Sequence, residues 1–398
     1  MNVILFDPPS GNRLLPFTLT RPVADIRIGI LTIREKWELL LQCSTSSITR
    51  DYLSEKFPMV IAEDNLLISG SVLPDRPLAE RLLRLASGEA LFDSEGLLAA
   101  RLNRNDLLQF PKLEHVKTIK CNNVAKLQHN WDLFQKNDTE LRKDFDLLTS
   151  NQKSIPLSPT NKLIGPKSAL FIEEGAIVEG AILNCQTGPI YIAAEAEVME
   201  GTLIRGPFSL GQHSQLKMGA KIYGPTTIGP YCKVGGELNN VIFFEYSNKA
   251  HDGFMGNSVV GAWCNFGADT NTSNLKNNYG EIKVIDYETG TSVNSGTQFC
   301  GLFMGDHSKC GINSMFNSGT VVGVGCNLFG TGYICSLVPS FSYGGPQEGF
   351  DVYRLDKAIE AATRVYERRG KVFDKMEENI MTAIFRQSHP SLFSEKEQ

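Results

Sequence analysis

The chain has 398 residues, 42% hydrophobic and 21% charged, with a net charge of −5. This is an ordinary soluble composition, long enough for about two or three domains, and the lack of a dense Lys/Arg run gives no electrostatic reason to bind nucleic acid or an anionic membrane. No apolar run reaches the roughly 18 residues of a membrane helix, and the opening MNVILFDPPSGNRLLP does not read as a signal peptide, so a cytoplasmic location is expected.

Residues 3–6 read as a buried strand, and DPPSGNRLLPFTLTRPVADIRIG after them as a long loop. A strand running into a loop with Gly11, Arg13, Arg21 and Arg27 is a place where backbone N–H groups and guanidinium forks can hold phosphate. Residues 66–92 read as strand, loop and amphipathic helix, the pattern of an α/β layer. Residues 129–151 read as a short helical link, and a Pro/Ser-rich passage puts the domain boundary near residue 155.

Every sixth residue from Ile192 is aliphatic: Val198, Ile204, Leu210, Leu216, Ile222, Ile228 and Val234. The series shifts register, resuming as Phe254, Val260 and Phe266 and again at Met304, Cys310, Phe316, Val322, Leu328 and Ile334. Such a hexapeptide period predicts a left-handed parallel β-helix over 156–338, with these residues pointing inward. Identical flat sides of such a solenoid pack around a three-fold axis, so a homotrimer is expected. The period breaks at NLKNNYGEIKVIDYETGTSVNSGTQFCG, which predicts a hairpin turned at 288–290 within an extruded loop, 275–303, able to cover a neighbour's pocket or to be passive. From 339 to 398 a Pro/Gly/Ser loop leads into one or two helices closing the solenoid's end; Arg364, Arg368, Arg369 and Lys371 there are either a solvated face or phosphate contacts.

The nine cysteines are scattered singly with no CxxC pair, which reads as reduced core residues. His213, His251 and His307 fall in the solenoid without the close histidine pair of a zinc lyase site. Outside the inward series, His251, Asn265 and Asn274 are the residues needing a chemical explanation; each is also compatible with a scaffold corner or turn cap.

The order of parts resembles the bifunctional enzymes that acetylate glucosamine-1-phosphate and couple the product to UTP, forming UDP-N-acetylglucosamine, and more closely the alternative form found in Bacteroidetes-type bacteria. The stretch NKAHDGFMGN is similar to the family's K-A-G-H-x-x-Y-x-G-D, CNFGADT to its N-x-G-A-G-T, and TSNLKNN to the segment nine residues on. The resemblance implies His251 as catalytic base and Asn265 and Asn274 as acceptor contacts. Lys276 and Lys217 would supply phosphate contacts, and N–H groups around Gly267 and Ala268 would polarise the thioester of acetyl-CoA. Phe254 stands where the family has a tyrosine.

In the first third, PPSGNRLLP and TRPV are similar to the family's nucleotide-binding opening, which implies Gly11, Arg13 and Arg21 as nucleotide contacts in a short nucleotidyltransferase-like α/β domain, 1–155. ISGSVLP resembles N-G-D-V-P, with Ser71 in place of the metal-binding aspartate; Mg²⁺ is implied if the domain is active, with Asp75 or Asp93 compensating. Sugar-phosphate and nucleotide substrates follow from this reading. Two alternatives stay open: nucleotidyl transfer alone on a structural β-helix, and a non-catalytic trimeric scaffold that binds a sugar nucleotide.

Overall fold

A computed structural model describes residues 1–392. By their internal contacts, Met1–Leu14, Thr18–Ile26 and Leu31–His129 form one unit, and Leu15–Phe17, Arg27–Ile30 and the residues from Asn130 onward form another.

The first unit is α/β. Its elements are β1 (Asn2–Phe6), α1 (Ile33–Leu41), β2 (Thr45–Ile48), β3 (Asp64–Ser69), α2 (Arg76–Leu83), β4 (Glu89–Asp93), β5 (Gly96–Asn103), α3 (Arg104–Leu108) and β6 (Lys117–Lys120). The strand order is β2-β1-β3-β5-β4-β6, parallel from β2 to β3 and antiparallel around β5. Ile4, Phe6, Leu67, Ala90, Ala100 and Leu102 pack together against the sheet, and each of the larger side chains among them stabilises by about 1.5–3 kcal/mol. Thr32 and Glu35 form a capping box that starts α1.

The segment expected as a short link is a twenty-residue helix, α4 (Asn130–Thr149), which by its contacts groups with the second unit. Burial is the reason. Phe134 stacks on Phe303 at 6.2 Å, and the Asn137 amide donates to Thr227 Oγ1 (3.1 Å) and Pro225 O (3.0 Å).

The rest of this unit is a three-sided parallel β-helix. The first face runs from Lys162–Ile164 to Tyr333–Ile334, the second from Leu170–Ile172 to Leu337–Val338, and the third from Ile177–Val178 to a terminal hairpin, Ser342–Gly345 with Gly349–Val352. Every member of the series from Ile192 to Val234 is at most 2% exposed, and the series from Met304 to Ile334 is inward too. Most of the nine free cysteines are buried, and burial pushes the thiols of Cys326 and Cys232 up, to about 11 and about 12.

Between these stretches the period does not merely shift. Eighteen residues separate the register partners Leu216 and Val234, but sixteen separate Ile222 and Leu238, and fifteen separate Val234 and Lys249. One expectation is corrected by this shortening. Phe254 pairs with Glu237 on the outward side of the first face, while Met255, paired with Leu238, points inward and is fully buried. Val260 and Phe266 are inward as expected.

The interruption at 275–303 contains an antiparallel hairpin, Lys283–Ile285 with Ser292–Asn294. It packs on its own solenoid: Tyr287 Oη lies 2.6 Å from Ser340 Oγ and accepts from Ser340 N at 2.8 Å, and Ile282 and Val284 are buried. After the terminal hairpin come α5 (Leu355–Glu367) and α6 (Lys375–Ser388). They do not simply close the end: α5 runs back along the corner between the second and third faces, where Tyr366 stacks on Trp263 at 4.0 Å. Phe385 of α6 meets Phe341 edge-on at 5.1 Å near the last coils.

Candidate functional site

The corner joining the third face to the first has four residues in most coils, as in 217–220, 250–253, 267–270 and 311–314. Between Val234 and Glu237 it has two, Gly235 and Gly236. A methyl group on Gly235 would lie 2.6 Å from Ala250 O, and one on Gly236 would lie 2.9 Å from His251 O, so the backbones above and below this corner approach as closely as glycine permits. His251 stands on the coil directly above, exposed to solvent, as is Asp252. The corner column is thus two residues short immediately beneath His251.

The other sequence-derived residues surround this notch unevenly. Ala268 and Asp269 form the corner one coil above, with Asp269 N donating to Asp252 O at 3.1 Å. The expectation for Gly267 needs correction: its N–H donates to Cys310 O at 3.0 Å, so the ladder has taken the donor proposed for a thioester carbonyl. The Ala268 N–H makes no hydrogen bond among the described residues and keeps that capacity. Lys217 belongs to the same corner column two coils below His251; its Cβ lies near Gly235, and its ammonium donates to Gln215 Oε1 at 2.8 Å.

Asn265 is exposed on the outward side of the third face, in register between Asn248 and Lys309. Asn274 lies at the opposite edge of the first face, where its amide donates to Asn257 Oδ1 at 2.8 Å and crowds Gly256 alongside the Phe254 ring. Lys276 is tied into the inserted loop by a 2.8 Å bond to Glu281 O. His251, Ala268 and Lys217 therefore share one corner. Asn265 and Asn274 flank it on different faces, and Lys276 is committed elsewhere.

His213 and His307 occupy the other long corner, in a ladder of rings. His213, Tyr231, Tyr246 and Trp263 stack at centroid distances of 4.8, 4.7 and 4.1 Å, each from a left-handed backbone position that turns its ring outward. His307 lies beside Trp263 and Tyr366 and is buried. Arg369, left open as a solvated residue, donates to Asn248 Oδ1 at 3.0 Å. Lys233 faces outward on the adjacent rung, its pKa lowered by burial and by Arg369, Lys217 and Arg368.

Sequence reasoning missed Lys249. It pairs with Val234, is 1% exposed, and donates from its ammonium to His251 O (2.8 Å) and Asp252 O (3.1 Å). A signal existed: six residues on from the inward Phe243 is position 249.

In the first unit, Gly11 lies in a 3₁₀ turn, Pro9–Leu14, and a methyl group there would lie 2.8 Å from Val23 Cγ2. Its N–H is taken by Pro8 O at 2.8 Å, so close packing accounts for this glycine. Arg13 is exposed, whereas Arg21 is buried. Two neighbours went unnoticed: Asp7, which accepts from Val23 N (2.7 Å) and Thr49 Oγ1 (2.6 Å) and whose burial holds its carboxyl above the usual range, and Arg50, which donates to Asn12 Oδ1 at 2.8 Å.

The residues named for the implied Mg²⁺ each have a partner within this unit. Ser71 is buried against Ser69 Oγ at 3.1 Å, Asp75 caps α2 through Leu78 N, and Asp93 is paired with Lys126. No group of three or more His, Cys, Asp or Glu side chains able to hold a metal ion occurs among the described residues.

Residues 3–153 match the model of a sugar nucleotidyl transferase family. The chain is 23% identical over 389 residues to a bifunctional sugar-1-phosphate nucleotidylyltransferase/acetyltransferase of Sulfurisphaera tokodaii, covering 83% of this chain and 96% of that one. It is 26% identical over 278 residues to the bifunctional protein GlmU of Methanocaldococcus jannaschii, covering 67% of this chain and 53% of that protein. A GlmU of Methanococcus maripaludis is 36% identical over 87 residues, 22% of this chain and 20% of its own length. The chain thus spans nearly all of the first relative, about half of the second and a fifth of the third.

Proposed function

We propose, from the premise that this chain is a relative of the bifunctional sugar-1-phosphate nucleotidylyltransferase/acetyltransferases, that its solenoid transfers an acetyl group from acetyl-CoA to the amine of an aminosugar phosphate such as glucosamine-1-phosphate. The observation that carries this reading is the notch: an exposed histidine above a corner two residues short, with an unengaged N–H one coil higher.

His251 takes the proton of the attacking amine, a role suited to a side chain with an ordinary pKa of about 6.5. As the amine nitrogen bonds to the thioester carbon, the carbonyl oxygen gains negative charge, which the Ala268 N–H stabilises. Collapse of that intermediate expels the CoA thiolate, which takes up the proton, leaving the acetylated amine. Lys217 sits where an acceptor phosphate in the notch would meet a positive charge, and Asn265 and Asn274 border the approach from either side.

The site is completed by assembly. α4 lies on the second face and α5 on the corner beside the third, whereas the first face carries Ile182 and Leu203, 39% and 46% exposed, and the corner with His251 carries Met218 and Ile312 at 71% and 69%. Apolar exposure on the first face and on the corner with His251 supports a homotrimer in which a neighbouring copy borders the notch. Light scattering on the purified protein tests the trimer; a monomer would refute it.

The match over residues 3–153 supports nucleotidyl transfer to a sugar-1-phosphate as a second activity. Thiol release from acetyl-CoA with glucosamine-1-phosphate, in wild type and His251→Ala, tests the first activity, and pyrophosphate release from UTP or dTTP in Mg²⁺ the second. Equal thiol release by both proteins would remove His251 from the chemistry. No thiol release, with pyrophosphate formed, would favour nucleotidyl transfer on a structural β-helix. Neither product would favour a sugar-nucleotide-binding scaffold.

A further inference from the structure

Lys249 occupies a slot built for an apolar side chain. The residues in register with it on the third face are Val234 below and, two places after Cys264, Phe266 above, both in the solenoid core. Its butyl stem lies among these groups, and its ammonium reaches the corner, where it donates to His251 O and Asp252 O and lies 3.5 Å from Gly235 O. A methyl group on Gly236 would come within 3.0 Å of the Lys249 nitrogen and 2.9 Å of His251 O, so the two-residue corner is what leaves room for the ammonium.

An ammonium is an expensive way to fill a core position. Its desolvation is only partly offset by neutral carbonyls, and an apolar side chain of equal length would fill the same volume without that cost. What the charge adds is directional: it pulls on the carbonyls of the two consecutive residues that present the exposed histidine. We propose that Lys249 is a positioning residue which, by holding the His251 and Asp252 carbonyls from inside the solenoid, fixes the direction in which the His251 ring leaves the corner. The inference rests on His251 being the base of acetyl transfer.

The charged and titratable groups facing the Lys249 ammonium are Asp252 from its own corner, Asp269 from the corner above and the Cys310 thiol two rungs above on the same face. The acids favour its charged form, but burial outweighs them and lowers its pKa to about 8. Acetyl transfer should therefore fall as Lys249 loses its proton.

The test compares full-length wild type, Lys249→Met and His251→Ala in thiol release from acetyl-CoA with glucosamine-1-phosphate. Lys249→Met is expected to keep the oligomeric state and melt no earlier than wild type at pH 7, lower kcat at least tenfold, leave the KM for acetyl-CoA within twofold, and lose the descending limb near pH 8. A stem that merely plugs the core would leave kcat and the pH profile unchanged. If Lys249→Met stays within twofold of wild type while His251→Ala is inactive, positioning by Lys249 is overturned and acetyl transfer by His251 stands. If His251→Ala is as active as wild type, both fall. Should Lys249→Met melt early, the wild-type profile decides alone: no decline between pH 7 and 9.5 overturns the proposal.

Discussion

The coils from Ile192 to Val234 and the coil from Gly235 to Gly253 are built on the same three-sided plan, and they differ in what their interior and corners are for. In the regular coils every inward slot is aliphatic, each corner joining the third face to the first has four residues, and eighteen residues return the chain to the same register. In the next coil the corner loses two residues, the inward slot of the third face holds a lysine, and the exposed histidine follows two positions later. Removing two residues brings Gly235 and Gly236 against the backbone of the coil above and sets a buried ammonium beneath an exposed histidine, so the coil in which the count fails is also the one in which these polar groups converge.

The largest test of this contrast separates activity from stability. His251→Ala should lower thiol release by about 10²–10⁴-fold, the usual contribution of a general base. Because His251 is exposed, its unfolding free energy should stay within about 0.5 kcal/mol of wild type. Ile222→Ala in a regular coil should do the reverse, costing about 2–5 kcal/mol in denaturant unfolding while the folded fraction keeps its specific rate. A variant of Ile222 that lost activity at full stability would dissolve the distinction between scaffold coil and site coil.

The inward slots can be compared by pH. Lys249 titrates near pH 8 when folded and at about 10.5 when unfolded. Below pH 8 both states hold the proton, and the fold bears the cost of the buried charge. Between pH 8 and 10.5 the unfolded chain binds more protons, so stability rises with pH. Wild type should thus gain on Lys249→Met across that window, by on the order of 3 kcal/mol at most. Parallel stability curves for the two proteins would show that the ammonium is not buried as the geometry requires.

How much of this was legible follows from what a period can carry. Ile192 to Val234 could be read because six residues per side is a strict consequence of packing one aliphatic group per strand. The shortened coil could not: Phe254 looks like the next inward residue, and nothing local says that Gly235 and Gly236 form a whole corner, which moves Met255 into that slot. His251, Lys217 and Ala268 were singled out through their likeness to known motifs, and no period would have brought them to one corner column. The committed N–H of Gly267 is a ladder bond invisible in sequence. In the first unit the strand at 3–6 and the elements of 66–92 were plain from patterning, but Gly11 reads as a phosphate-loop glycine when its contact with Val23 explains it. α4 was underestimated because Lys136, Asp138, Arg142 and Lys143 make it look solvated, while Phe134, Asn137 and Leu141 on another side are buried in tertiary contacts.

The smallest effect isolates the corner itself. Gly219 and Gly236 both adopt left-handed backbone, at φ +69° and +76°, one in a four-residue corner and the other in the two-residue corner. A methyl group on Gly219 meets no atom within 4 Å, whereas on Gly236 it meets Gly253 O at 2.8 Å, His251 O at 2.9 Å and Lys249 Nζ at 3.0 Å. Gly219→Ala should therefore cost about 1 kcal/mol, the backbone strain alone, and leave acetyl transfer untouched. Gly236→Ala carries the same strain plus the displacement of three polar atoms, so denaturant unfolding should show roughly 1 kcal/mol more, with a fall in kcat because the atoms displaced are those that hold His251. Equal costs and equal rates for the two alanines would mean that the short corner is only a shorter turn, and that its position beneath His251 has no consequence for the histidine.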